Sequence, residues 1–93
     1  MQTFVIFRRS AWEDEPDLED AVAESNRVAD EEMPGQVKWI RSYVLEEEDG
    51  TLGTVCIYQA EDADAIMEHA QRAGLPADEV LPVVNTVIVR DDP

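Results

Sequence analysis

Apolar residues recur along this chain with two different periods, and these periods predict four strands and two helices. Alternating apolar and polar positions, rich in aromatic and β-branched side chains, indicate strands. The predicted strands cover residues 2–8, 37–45, 54–59 and 83–90. Residues 75–82 contain two prolines, which argue against a long strand there. The second and third strands are predicted to pair antiparallel across loop 46–53, where Asp49 and Gly50 form the turn signal.

The two helices are predicted where apolar residues recur every three to four positions. The first begins at Pro16, which suits the first turn of a helix, and ends before residues 34–35. The second covers residues 62–73, with Asp62 as its N-cap and Gly74 as its C-cap. The order β-α-β-β-α-β predicts an α+β fold of the ferredoxin-like type, with one four-stranded antiparallel sheet.

Alternation also sorts the strand side chains onto the two faces of the sheet. We expect the aliphatic Val55 and Ile57 to face the helices. The opposite face then carries a mixed aromatic and polar set: Trp39, Arg41, Tyr43, Cys56 and Tyr58. Such a face is expected to be covered, and a second copy of the chain would cover it and form a dimeric α/β barrel. The five residues then either fill the interface or line a ligand pocket, with Arg41 as a polar anchor.

The composition of the chain limits which binding partners and which cellular location we expect. At 93 residues, the chain is predicted to be one domain, residues 1–93. Its formal net charge is -15, and such a surface repels phosphates and anionic lipids, so we expect neither nucleic acid nor membrane as a partner. Residues 13–32 are especially acidic and form either a solvated helix face or a weak cation-collecting surface. The single cysteine excludes an intramolecular disulfide, which is consistent with a cytoplasmic location.

Three short motifs resemble a known family. They are W-x-x-S-Y beginning at Trp39, C-x-Y-x-A at Cys56 and E-H-A-x-x-A-G at Glu68. Over residues 37–82 the chain resembles the family called domain of unknown function 4242, which is also described as nickel-binding and ferredoxin-like. The resemblance implies a small dimeric α/β-barrel protein with a metal-binding role. This chain differs in its more acidic first helix and its longer loop 46–53.

The metal ligands that fit this resemblance best are His69 and Glu68, followed by Cys56 and Tyr58. An imidazole suits nickel, zinc and copper. His69 can equally be a structural histidine beside the apolar stripe of its helix, and Cys56 an inert buried residue. The face assignment directs Cys56 away from the helices, so we do not expect it to share one site with His69. With no second histidine, a metal site needs carboxylates, water or a second subunit.

No residue pattern in the chain indicates a catalytic mechanism. Glycine-rich phosphate loops are absent, and Arg8 and Arg9 are too few to indicate a phosphate or RNA site. The leading hypothesis is a small non-enzymatic homodimer that binds a divalent transition metal, which is nickel according to the resemblance. The alternative is a cofactor-independent enzyme or small-molecule carrier that uses a cavity between the two sheets of the homodimer.

Overall fold

The structure is a computed structural model that describes residues 1–91, and it contains one antiparallel sheet with two helices packed on one face. In chain order the elements are β1 (Gln2–Trp12), α1 (Glu15–Arg27), β2 (Val37–Glu46), β3 (Leu52–Ala60), α2 (Ala63–Ala73) and β4 (Glu79–Pro82). A π-helical segment, Val28–Glu32, continues α1. The strand order is β2-β3-β1-β4, and every neighbouring pair is antiparallel. The predicted α+β fold of the ferredoxin-like type is confirmed.

Both helices begin at an aspartate that caps the first turn. Oδ1 of Asp14 accepts a hydrogen bond from the backbone N–H of Asp17 at 3.0 Å, and Oδ1 of Asp62 accepts one from Ala65 at 2.8 Å. These bonds satisfy N–H groups that have no partner within the helix. Helix α2 ends at Gly74, whose φ of 72° lies in the left-handed region that glycine adopts without strain. The predicted caps Asp62 and Gly74 are confirmed.

The last strand lies earlier in the chain than predicted. The strand is Glu79–Pro82, which pairs with β1, whereas residues 83–90 have no regular secondary structure. The prediction was wrong because β4 is an edge strand, where a proline removes an N–H that no further strand needs. After β4 the chain leaves four large apolar side chains 77–94% exposed: Val84, Val87, Ile88 and Val89.

A bulge in β2 changes which side chains share a face. Trp39 pairs with Tyr58 and Arg41 pairs with Ile57, so Ile40 is an extra residue in the ladder. An extra residue shifts the alternation of every side chain beyond it by one position. Trp39 therefore faces the helices, whereas Arg41 faces the opposite side.

The predicted face assignment was wrong for most of its members, because the two faces of β3 are also the reverse of those predicted. Cys56 and Tyr58 lie in the core beneath the helices, and Trp39 packs against that core. Val55 and Ile57, which were expected there, are on the opposite side. That side, here called the open face, carries Val5, Phe7, Lys38, Arg41, Tyr43, Val55, Ile57, Glu79 and Leu81. Tyr58 can be buried beneath the helices because Ser25 of α1 is a hydrogen-bond partner for its hydroxyl.

The hydrophobic core fills the space between the helices and the sheet. Its buried members are Phe4, Ile6, Val28, Met33, Val37, Cys56, Tyr58, Ala60, Ile66 and Ala73. They come from three strands, the π-helical segment with its C-cap Met33, and α2, so the core joins the sheet to the helical layer. Neither helix within residues 1–91 is long and apolar enough to cross a membrane.

Candidate functional site

Four polar side chains meet inside this core, and we call them the polar core cluster. They are Arg8 from β1, Ser25 from α1, Tyr58 from β3 and His69 from α2, and each is at most 2% exposed. Arg8 reaches the core because alternation along β1 places it on the same face as the buried Phe4. The site is therefore built by four different elements.

The ring of Tyr58 is the centre of the polar core cluster. Its hydroxyl lies 3.0 Å from Oγ of Ser25, and burial raises the pKa of the phenol above its usual value. The ring of Trp39 stacks on it with centroids 5.9 Å apart, and the ring of His69 lies at 5.3 Å. The guanidinium carbon of Arg8 lies 5.6 Å from the centre of the Tyr58 ring, within cation–π range.

His69 is held as a neutral imidazole. Its Nε2 lies 3.0 Å from the backbone carbonyl oxygen of Ser25 and donates to it, because a carbonyl can only accept. Burial lowers the pKa of His69, the hydrogen bond to Ser25 opposes this effect, and the charge of Arg8 lowers the pKa further. The proton is thus on Nε2. Nδ1 is buried and has no hydrogen-bond partner within residues 1–91.

The structure does not assemble the predicted metal ligands into one group. His69 is fully buried, whereas the carboxylate of Glu68 is half exposed and lies 3.6 Å from Arg72. The buried thiol of Cys56 donates to Oγ1 of Thr54 at 3.3 Å. Cys56 and His69 do face the same side of the sheet, contrary to the expectation. Across the described residues, no group of three or more His, Cys, Asp and Glu side chains is placed to hold a metal ion.

The predicted ligand pocket is divided between the two faces of the sheet. Trp39, Cys56 and Tyr58 face the helices, whereas Arg41 and Tyr43 lie on the open face. There Nη1 of Arg41 donates to the Tyr43 hydroxyl at 3.3 Å. A groove of about 740 Å³ is bordered by the open face and by the chain after β4. The five residues therefore do not line a single pocket.

Arg8 belongs to this site, a role that was not predicted from the sequence. Its Nε and Nη2 atoms are buried and have no hydrogen-bond partner among the residues that the structure describes. The signal was present in the sequence, because Phe4, Ile6 and Arg8 follow one another at alternate positions of one strand. An arginine that continues an apolar stripe is buried by the same packing as its neighbours, and arginine is rarely buried unless it is paired.

A comparison with models of protein families finds a match over most of the chain. The family described as "Nickel responsive protein SCO4226-like" matches residues 4–83. The chain belongs to the SCO4226-like family. This membership confirms the resemblance drawn from the three motifs, at the level of a nickel-related family with a ferredoxin-like fold.

This SCO4226-like chain is also similar to a solved structure, the crystal structure of SCO4226 from Streptomyces coelicolor A3(2). The two are 20% identical, with a TM-score of 0.72, and the match covers 91% of this chain and 99% of that one. At this identity the similarity establishes the shared fold. A search of curated proteins finds no match to this chain.

The surroundings of His69 in this SCO4226-like chain do not fit a nickel centre. His69 is the only imidazole, and no carboxylate or thiol groups join it in a set of three among residues 1–91. The positive charge of Arg8 also acts on His69, since it contributes to the lowered pKa of that ring. The same charge would repel a divalent cation at Nδ1.

Proposed function

We propose that this protein is a non-enzymatic binding protein of the nickel response and that it works as a homodimer. Its membership in a family described as nickel-responsive supports the connection to nickel. The hydrogen bonds of Cys56 and His69, its two most reactive side chains, support a binding role over a catalytic one. The thiol of Cys56 bonds to Thr54, and the Nε2–H of His69 bonds to Ser25, so neither activates the other as a nucleophile and base would require.

The open face carries the argument for a homodimer. Along β1 and β3 its centre is apolar, with Val5, Phe7, Val55 and Ile57 pointing away from the helices. Tyr43 and Ile40 beside them are 44% and 43% exposed. Apolar patches of this kind usually mark interaction sites. A second copy of the same face would bury the patch from both sides, as closed two-fold assemblies do.

The charge distribution favours a second copy as the occupant of the open face. The chain has 22 acidic residues against 7 basic ones, so two copies repel each other across most of their surfaces. The open face is far less acidic, because Lys38 and Arg41 lie on it, with Glu79 at its edge and Asp91 bordering its groove. Two copies can therefore approach through this face with the least repulsion.

Nickel binding, in this proposal, uses exposed carboxylates on the helix side of each subunit, with water as the remaining ligand. Glu68 is the exposed member of the predicted ligand set, and it borders a surface groove with three further acids, Glu61, Asp62 and Asp64. His69 and Cys56 are buried, so binding nickel at either residue would place the charge of the ion in the core, which is unfavourable. We therefore assign the metal to the surface that includes Glu68.

Two measurements on untagged protein test this function. Isothermal titration with nickel chloride is expected to show saturable binding at micromolar metal, and sedimentation velocity is expected to show a dimer. Glu68→Gln should weaken nickel binding, whereas His69→Gln and the exposed control Glu19→Gln should not. Absence of saturable binding contradicts the nickel role, and a weaker titration in His69→Gln contradicts the assignment to the surface. A monomer at all concentrations contradicts the homodimer.

A second candidate function is supported by the groove on the open face. Its volume of about 740 Å³ lies within the range of small-molecule sites, and Arg41 and Tyr43 border it. In a homodimer this groove would be enclosed, and the protein would act as a small-molecule carrier or a cofactor-independent enzyme. Native mass spectrometry of the purified dimer distinguishes the two functions. A retained small molecule lost in Arg41→Met supports the carrier, and a bare dimer mass rejects it.

A further inference from the structure

The chain after β4 has the side chains of a strand but no regular secondary structure. Residues 83–90 contain six β-branched residues, a composition that favours strands. Within them, we call residues 86–90 the tail segment. Ile88 alternates with Val87 and Val89, so the extended tail segment is apolar on both sides. These three side chains are 77–83% exposed, and apolar surface of this extent marks an interaction site.

Strand β2 is the sheet edge that matches a strand with two apolar sides. Tyr43 of β2 lies on the open face and is 44% exposed, whereas Val44 lies on the helix side, opposite Thr54, and is 52% exposed. Ile40 in the bulge is 43% exposed. A strand added at this edge would cover such side chains on both faces. The opposite edge, β4, is four residues long and contains Pro82, so it is a poor template.

In the homodimer, the tail segment does not have access to β2 of its own chain. Strands β4 and β2 stand at opposite edges of the sheet, so the tail segment would have to cross its own open face. In the single chain, residues 85–91 do border the groove on that face. A second copy packed on the open face occupies the same space. The tail of each copy must then leave its own sheet.

The edge of the partner's sheet lies within reach of the tail. A two-fold axis that runs along the strands, between the two sheets, places β4 of one copy opposite β2 of the other. Stacked sheets lie about 10 Å apart. The three residues 83–85 connect Pro82 to Thr86, a distance of up to about 13 Å in extended chain. Because β4 runs opposite to β2, a tail that turns back after β4 runs parallel to β2 of the partner.

We propose that the tail segment of each copy joins the sheet of its partner as a fifth strand, parallel to β2. This inference rests on the proposed homodimer and states which segment the two copies exchange. Charge favours the contact, because residues 83–90 and 37–45 contain none of the 22 acids of the chain, so neither segment is repelled by the other as acidic surfaces are. The tail segment lies beyond residue 83, where the family match ends, so family membership does not imply the exchange.

The test combines sedimentation velocity with NMR of a mixed dimer of the full chain. One half of the chains carries ¹⁵N and deuterium, and the other half carries ¹³C-labelled methyl groups. We expect a dimer, with nuclear Overhauser effects between β2 amides of one chain and Val87 or Ile88 methyl groups of the other. A dimer whose tail methyl groups show no such contact, or contact only within one chain, overturns the exchange and leaves the homodimer standing. A monomer at all concentrations overturns both.

A proline in the tail segment measures how much the exchanged strand contributes to the dimer. Ile88 is 78% exposed in the single chain, so Ile88→Pro leaves the fold of the subunit intact. It removes an N–H from the added strand and an apolar side chain from the contact. The dissociation constant of the dimer should rise at least about tenfold, the change that burial of one aliphatic side chain corresponds to. The control Asn85→Pro lies in the connection and should raise it less. An unchanged dissociation constant in Ile88→Pro overturns the exchange.

Discussion

The buried imidazole of His69 should make the stability of this protein fall as the pH decreases below about 6.5, the ordinary pKa of histidine. In the folded protein burial holds the pKa of His69 below that value. In the unfolded chain His69 is in water and has its ordinary pKa. Between the two pKa values the unfolded state therefore binds more protons than the folded state, and each step of decreasing pH favours unfolding.

The size of the effect follows from the same linkage. If His69 stays neutral in the folded state, unfolding is favoured by about 1.4 kcal/mol at pH 5.5 relative to neutral pH. This is an upper limit, because any protonation of the folded protein reduces it. The loss begins near the unfolded pKa and continues until the pH reaches the lowered pKa of the folded state. Carboxylates of ordinary pKa change little in this window, since they titrate near pH 4.

Urea unfolding followed by tryptophan fluorescence measures this loss, because Trp39 stacks in the core on Tyr58. The free energy of unfolding is compared between pH 7.5 and pH 5.5, at constant protein concentration, for the unchanged protein and for His69→Gln. The glutamine amide can still donate to the carbonyl of Ser25 but does not titrate. We expect a clearly smaller pH dependence in His69→Gln, and the full dependence in the control Glu68→Gln.

The reasoning fails if the unchanged protein and His69→Gln lose stability in parallel as the pH falls. A second measurement needs no variant. His69 is the only histidine of the chain, so its ring protons give a single titrating set of NMR signals. A folded-state pKa at or above the ordinary value would contradict a buried neutral imidazole.

Three further substitutions should lower the free energy of unfolding in the same urea assay. Ser25→Ala leaves the buried hydroxyl of Tyr58 without its partner and should cost about 1–3 kcal/mol. Gly53→Ala should cost about 1–3 kcal/mol, because its Cβ would lie 2.7 Å from the backbone oxygen of Arg8 and the strands would have to separate. Asp62→Ala removes the cap of α2 and should cost about 0.5–2 kcal/mol.

Each of these costs has its own control. In a Tyr58→Phe background the hydroxyl is gone, so Ser25→Ala should cost less, and an unchanged cost would contradict the hydrogen bond. If Gly53→Ala is as stable as the unchanged protein, the close approach of β1 and β3 does not exclude a Cβ at this position. Asp64 lies in the same first turn as Asp62 without capping it, so Asp64→Ala should change stability by much less.

The element order and the helix ends were predictable because they depend on residues close together in the chain. The Asp62 cap bonds to a backbone N–H three residues away, and Gly74 ends α2 through its own φ angle. The position of β4 was not predictable in this way. Residues 83–90 have strand-forming side chains, yet Glu79–Pro82 forms the strand, because only the position at the sheet edge makes Pro82 acceptable.

The sequence by itself thus determined the ferredoxin-like order, the caps and the family, since local periodicity and short motifs carry that information. Only the tertiary structure decided which residues share a site. The bulge at Ile40 turned Trp39 toward the helices and Arg41 away from them, and a bulge is defined by the pairing of two strands rather than by one. Burial of Arg8 beside Tyr58 likewise depends on α1 covering that face, because a side chain is buried only by what packs against it.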